Sequence, residues 1–483
     1  MKYYDNNILD GAATFMADRM TSLGQFFSSE ETLDVYSARI NKIIHNSELY
    51  KKRQIFFKEL IKNKVKRLFN EEERKNIDLR LDNGLASGIV DHCGILDNPI
   101  LLGASLVSNY SKLFDRSTHG DILTFATGNI PVNEPFRRRG FMFRGRRINL
   151  YAKKDKNKIV YVMPKQDFNL VDRAVKAHEF HLYSKEEQSF LIKTTELIKK
   201  IDFSTCKSLG DQLTKINYYL WPFLFEEKLR SKLSNLISIE YDDIVSEYLI
   251  HIIENDKKSF IYMMLFDEKF REKTLKEFGG IVGAWNDEED SGTHFFWGVD
   301  SNLERVSLRT EKDSLVSKDG NYTHLNEKDV ILLLRQKKLI IGMLLKFSLV
   351  IFYMGLKPLA GLGSVEYLNR MKIKISNFLS KYFSDEVENF KNIDINGMVS
   401  IPLLLEKDGT NVKSINAFDV FYKGGISQDY FNRLSKLPLK SLVVPILTFY
   451  TYAAAKYGNE EDKKVKFELA PPLLNSYLTS LFD

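Results

Sequence analysis

Two short apolar stretches constrain the fold of this chain more than any other feature: Leu85-Ala86-Ser87-Gly88-Ile89-Val90 and Ile122-Leu123-Thr124-Phe125-Ala126. Each runs into a polar turn, Asp91-His92-Cys93-Gly94 after the first and Thr127-Gly128-Asn129 after the second, with a helix-like segment from about Pro99 to Leu113 between them. A short apolar strand, a helix and a second such strand make one β-α-β unit, whose strands are parallel and buried on both faces. Both polar turns then fall on the carboxyl edge of the sheet, where open α/β sheets bind ligands. The expected fold class is α/β, a Rossmann-like parallel-sheet core with a helical N-terminal lead-in and inserted helical and β-hairpin segments. Asp91, His92, Gly94, Asn98, Thr127, Gly128 and Asn129 become candidate site residues.

The remaining segments are assigned around that unit. Residues 1–84 read as the helical lead-in, with Phe56, Phe57, Leu60, Ile61 and Val65 returning at helical spacing. Residues 85–167 form the first half of the core and include a hairpin over 136–163, with Gly140 or Gly145 in its turns and Lys158 to Met163 as a strand. Residues 168–278 show helical patterning nearly throughout and read as a helical insertion. Residues 279–371 hold an aromatic hairpin, Thr293 to Gly298 with Arg305 to Arg309, and the second half of the core. A C-terminal helical region, 372–483, ends in an apolar helix from Leu442 to Ala455.

The run from Leu339 to Gly355 is apolar apart from Lys346 and Ser348 but falls short of the roughly twenty residues of a membrane span. It reads as the end of a helix begun at Asn326, followed by a buried strand from Phe347 to Tyr353. The first residues, Met1 to Asn7, lack the makeup of a secretory signal, and only two cysteines, Cys93 and Cys206, occur. Both observations point to a cytoplasmic chain without a disulfide framework or membrane partner. The 70 basic and 64 acidic residues, spread along the chain for a net charge of +6, do not make it a general nucleic-acid binder. Small-molecule substrates are the expected partners, with a homodimer left open.

His92 carries the most weight among the titratable residues, because it joins Asp91 and a glycine at a strand end. As an isolated pattern, a loop histidine held by a carboxylate is about as good a reading. Cys93 has no nucleophile signature around it. Asp91, His92 and His119 together offer metal ligands, and a metal-dependent hydrolase is one alternative. Its weakness is position, since His119 and Asp121 precede the second strand while His92 follows the first; no metal is expected. The run Arg137-Arg138-Arg139-Gly140-Phe141-Met142-Phe143-Arg144-Gly145-Arg146-Arg147 suits a phosphate or carboxylate clamp, an RNA-binding hairpin, or a merely solvated one. His178 and His181 are three apart, not the four of a metalloprotease helix, and read as a solvated face. An internal echo relates Gly361-Leu362-Gly363-Ser364-Val365-Glu366-Tyr367 to Gly424-Gly425-Ile426-Ser427-Gln428-Asp429-Tyr430, both read as Gly-rich turns with a serine cap opening a helix. Such a start suits an anion, and two well-capped helices are the plainer explanation.

The order of these parts resembles the bacillithiol synthase family, cysteine-adding ligases of low-molecular-weight thiol biosynthesis. Three stretches carry the resemblance. In the first, the lead-in with Phe15 to Asp18, Phe26-Phe27 and Arg39 feeds into a strand and turn where Gly94, Ile95 or Leu96, and Pro99 match, while Asp91-His92 stands in place of two glutamines. The second is Phe295 to Asp300 with Arg305-Val306, and the third runs from Asn326 through Leu356 to Leu359 into Gly361 to Tyr367, one residue shorter than the family's turn. Thr127 to Pro131 replaces an acidic, histidine-containing turn, and the family's long coiled-coil ending has no counterpart.

The resemblance implies a divergent, nucleotide-binding ligase or transferase. It would use ATP or another nucleotide to join an amino-acid-like or thiol nucleophile to a small activated acceptor in thiol or specialised metabolism. Asp91 and His92 would handle protons or the leaving group, and Arg137, Arg138 and Arg139 would hold phosphate or carboxylate. Gly361, Gly363, Ser364, Glu366 and Tyr367 would border the pocket.

Overall fold

A computed structural model describes residues 14, 17–18, 20–44, 47–82, 84–136, 139–167, 180–281, 284–408 and 411–443. Five strands form one all-parallel sheet: β1 (Ala86–His92), β2 (Ile122–Thr127), β3 (Leu236–Glu240), β4 (Lys357–Ala360) and β5 (Gly397–Met398). Their spatial order is β5-β4-β1-β2-β3, so the winding direction reverses between β1 and β4. The expected Rossmann-like α/β core is present, and the segment from 85 to 129 is its central β-α-β unit. The intervening helix, α2, spans Pro99–Asn109 and follows α1 (Glu48–Leu68) in the chain.

Helices cover both faces of the sheet. Phe125 of β2 meets Phe57 of α1 on one face, while its neighbour Ala126 joins the cluster of Leu209, Leu213 and Ile216 from α3 (Leu209–Leu220) on the other. Tyr248 of α4 (Asp242–Asn255) packs on the same Phe57 ring. The helical lead-in is therefore a layer of the core. The fifth framing helix, α5 (Leu362–Leu379), leaves the carboxyl end of β4. Among the described residues no helix is long and apolar enough to cross a membrane.

Several expected elements differ. The stretch read as a helical insertion contains β3, whose five residues are all buried and therefore show no alternation. Its helices α3 and α4 flank the core. Phe347 to Tyr353 is helical, an α-helix over Met343–Phe347 continuing as a π-helix over Ser348–Tyr353; the strands nearby are Leu339–Ile341 and β4. An unbroken buried run looks the same in sequence whether it is helix or strand. The helix begun at Asn326 ends at Arg335, and Lys337 takes a positive φ of 57° before the Leu339–Ile341 strand. Lys158 to Met163 is no strand but a 3-10 turn at Val160–Val162, whose Val160 and Tyr161 N–H groups donate to Ile130 and Gly128.

The aromatic hairpin forms as expected, with Phe296–Val299 antiparallel to Arg305–Ser307. The arginine-rich hairpin also forms, Gly140–Phe143 against Arg146–Asn149. Its tip, Arg144-Gly145, has positive φ at both residues, as a two-residue hairpin turn requires. The proposed helix from Leu442 to Ala455 lies outside the described residues beyond Val443, where a short helix, Leu439–Leu442, has just ended.

Candidate active site

The strand order reverses between β1 and β4, and open α/β sheets bind ligands in the crevice at the carboxyl edge beside such a reversal; here β1 ends in His92 and β4 leads into α5. His92 is the last residue of β1, opposite Thr127 of β2. Its ring packs edge-on against Phe136 at 5.3 Å, and its Nδ1 lies 3.2 Å from Oε2 of the buried Glu134. Glu134 is fixed in turn by the Phe136 N–H at 3.0 Å. Asp91 is not a turn residue. It belongs to β1, is buried, points to the opposite sheet face from His92, and accepts a hydrogen bond from the Ser238 hydroxyl of β3 at 3.1 Å. The pair Asp91-His92 is thus split between two environments.

The rest of the first turn is clamped. Asn217 of α3 donates to the Gly94 carbonyl at 2.9 Å and accepts from the Leu96 N–H at 2.8 Å. Asn98 is the N-cap of α2, its side-chain carbonyl accepting from the Ile100 and Leu101 N–H groups at 2.9 and 3.3 Å, and its amide donating to the Phe136 carbonyl. Asn98 therefore positions the helix first. Beside it, Phe136, Met142 and Arg147 help to line a recess of about 180 Å³. The hairpin is held at the carboxyl edge by a hydrogen bond from the Met142 N–H to Asp97 at 2.8 Å.

Across the crevice, Gly361 is the N-cap of α5, and it packs beside Val90 of β1 and Ser400. No side chain caps this helix. Ser364 was expected to cap it but stands in the first turn, where its hydroxyl accepts from Tyr367 at 2.8 Å. A side chain at Gly363 would meet nothing within 4 Å, so the first turn of α5 faces open space. Glu366 is buried and paired with Arg370 at 2.8 Å.

The second turn is locked by a residue that sequence reading missed. Asp242, which opens α4, accepts from the N–H groups of Gly128 at 2.6 Å and Asn129 at 3.2 Å, while Thr127 Oγ1 lies 3.4 Å away. The buried Lys346 ammonium pairs with Asp242, lies 3.4 Å from the Thr127 hydroxyl, and sits 4.8 Å over the Tyr241 ring. The next residue, Phe347, stacks on Tyr367 of α5. Lys346 and Phe347 thereby join the Thr127 turn to the Gly361 helix. The signal was a lysine in an otherwise apolar run, noted only as an exception to a membrane span.

Behind this lock lies a buried ionic cluster. Glu240, at the end of β3, is fully buried, and burial pushes its carboxyl up to about 8 against the pull of the Lys64 ammonium. Lys64 of α1 donates to the Glu240 carbonyl at 2.6 Å and has Asp243, Glu240 and Asp211 carboxylates within 3.6 Å. Burial would depress this amine, but those carboxylates hold it above its ordinary range. Burial likewise opposes the charge on Asp243, yet Lys64 and Lys337 bring its carboxyl down to about 2.

Compared with protein families and with curated proteins, the chain matches none.

The remaining candidates separate from the crevice. Arg137 and Arg138 lie outside the described residues, and Arg139 donates to the Tyr151 carbonyl at 3.1 Å. Arg144 is paired with Glu187 at 2.9 Å, so these two arginines already serve the hairpin's own packing. His119 ends a short helix just ahead of β2, on the amino edge, whereas His92 is on the carboxyl edge. Six strand residues at roughly 3.3 Å each keep the two imidazoles from sharing one ion. Asp121 is tied up by Arg116 at 2.7 Å and by the Asp78 N–H at 2.8 Å. Among the described residues no three His, Cys, Asp or Glu side chains are grouped to hold a metal.

Cys93 is buried and its N–H donates to the Thr127 carbonyl, so it holds the edge together. The second Gly-rich turn, at Gly424, lies on the amino edge: Ile426 bridges Phe225, just past the C-terminal end of α3, and Trp221 there donates to Ser234 ahead of β3. There Ser427 does cap its helix, accepting from the Tyr430 N–H at 3.1 Å.

Proposed function

We propose that the protein is a ligase or transferase that binds ATP or another nucleotide in the carboxyl-edge crevice and joins an amino-acid-like or thiol nucleophile to a small activated acceptor. One observation carries this reading: His92 with its Glu134 partner and the uncapped, open first turn of the 18-residue helix α5 flank the point where strand order reverses. Free N–H groups and the positive end of a helix favour phosphate oxygens, and Gly363 leaves the approach clear. A histidine at the mouth supplies a proton carrier for an attacking amine or thiol, and a carboxylate at Nδ1 sets the ring's orientation. Asp91, buried across the strand, supports the sheet in this reading and leaves proton transfer to His92.

The resemblance to the thiol-forming ligases lends support to the reaction class. Its best-matched stretches, Gly94 to Pro99 and Gly361 to Tyr367, belong to the two turns flanking the crevice.

Titration calorimetry with ATP and ADP is the direct test. Binding is expected, and Gly363→Val is expected to weaken it at least tenfold by filling the approach to α5. His92→Ala should keep nucleotide affinity while abolishing nucleotide-dependent adduct formation, followed by mass spectrometry with amine and thiol acceptors. Absence of nucleotide binding at millimolar concentration, or unchanged affinity in Gly363→Val, would sink the reading.

A further inference from the structure

A cavity of about 440 Å³ opens between α1, the start of α4 and the segment around Lys337, and none of His92, Glu134, Gly361 and Gly363 lines it. Five cations line it, Lys64, Arg67, Lys207, Arg335 and Lys337, against two carboxylates, Asp243 and Glu247. Asp211, the carboxylate paired with both Lys64 and Arg67, stands outside the lining. Arg67 is held bidentate on Asp211 at 2.6 and 3.1 Å, and Lys337 on Asp243 at 2.7 Å, so the inner cations are fixed in place before any ligand arrives. At the exposed mouth, Lys207 has no ion pair among the described residues, and Arg335 reaches only Glu254 at 3.3 Å. Ser208, the N-cap of the 12-residue helix α3, also lines the cavity, which adds that helix's positive end to the same wall.

We propose that this cavity is a second binding site, taking a small, multiply charged oxyanion such as a phosphate ester or a polycarboxylate. Fixed cations lose little freedom on binding, and several of them converging on one space favour an anion of matching charge. Glu240, kept protonated near neutrality by burial, leaves the surrounding cluster with a positive surplus. This site is independent of the nucleotide reading of the crevice.

The test is titration of the whole protein with pyrophosphate and, separately, with citrate, in low salt. At least one is expected to bind, and the stronger of the two identifies phosphate or carboxylate as the natural group. Lys207→Glu combined with Arg335→Glu changes two exposed side chains, so unfolding curves should match the parent protein. That variant is expected to bind the anion at least tenfold more weakly while ATP affinity in the crevice is kept; Gly363→Val should do the reverse. The proposal is overturned if neither anion binds at millimolar concentration, if charge reversal leaves anion affinity unchanged, or if Gly363→Val removes anion binding.

Discussion

Glu240 is confined by its neighbours on every side. A Cβ added at Gly210 would come within 2.8 Å of its Cγ, and one at Gly128 within 2.9 Å, while Lys64 holds its carbonyl and the Asp242 N–H donates to Oε1 at 2.7 Å. Burial raises its carboxyl from 4.5 to about 8, so between those values the folded protein holds a proton that the unfolded chain releases. Stability should accordingly fall as pH rises through that window, by an amount on the order of a few kcal/mol. Asp243 acts in the opposite sense: its depressed carboxyl adds stability above about 3.8 that is lost as pH falls towards 2. Urea unfolding at pH 5, 7 and 9 checks the first slope, and Glu240→Gln should flatten it; a parent protein equally stable at pH 5 and 9 would count against a protonated Glu240. Little of this was visible in the chain. Gly128 was named as a ligand contact because it follows a strand, whereas its absent side chain makes room for Glu240.

At the scale of elements, the carboxyl edge depends on how the helix at Met343–Phe347 meets α4. The contact is ionic and buried: Lys346 is 4% exposed at its side chain and Asp242 2%. Removing one member of such a pair leaves an uncompensated charge and typically costs about 3–5 kcal/mol, whereas replacing both can be close to neutral. Lys346→Met is therefore expected to lower stability by that amount and to loosen the Thr127 turn. Adding Asp242→Asn should recover most of the loss, measured as a double-mutant cycle by chemical unfolding. If the double variant is no more stable than Lys346→Met alone, the pair is not the lock described. The β1-α2-β2 unit was legible because each strand ends in a polar turn and Asn98-Pro99 marks a helix start. The helix containing Lys346 was not, because eleven consecutive buried residues, 344–354, carry no periodic pattern to read.

For the whole molecule, the sheet sorts similar sequences onto opposite edges. The Gly361 and Gly424 turns share residue types, yet the first borders the crevice and the second packs on Phe225 at the amino edge. Gly425 has a φ of +97°, and a Cβ there would come within 2.4 Å of the Phe225 backbone. Gly425→Ala should cost about 1–3 kcal/mol of stability and leave nucleotide affinity in the crevice unchanged. A thermal melt and the same calorimetric titration decide it, and lost ATP affinity in a folded variant would contradict the assignment of the two edges.

The sequence by itself determined the parallel β-α-β unit, its polar carboxyl turns, and the Gly-rich start of α5. Strand length, apolar runs and turn chemistry are local properties that need no partner to be read. Tertiary structure alone decided that β3 joins the sheet, that Asp91 and His92 face opposite ways, that Glu134 and Lys346 reach the carboxyl edge, and that Lys64 enters the buried cluster behind it. Those choices follow from strand pairing and charge pairing between residues far apart in the chain, for which one sequence carries no local mark.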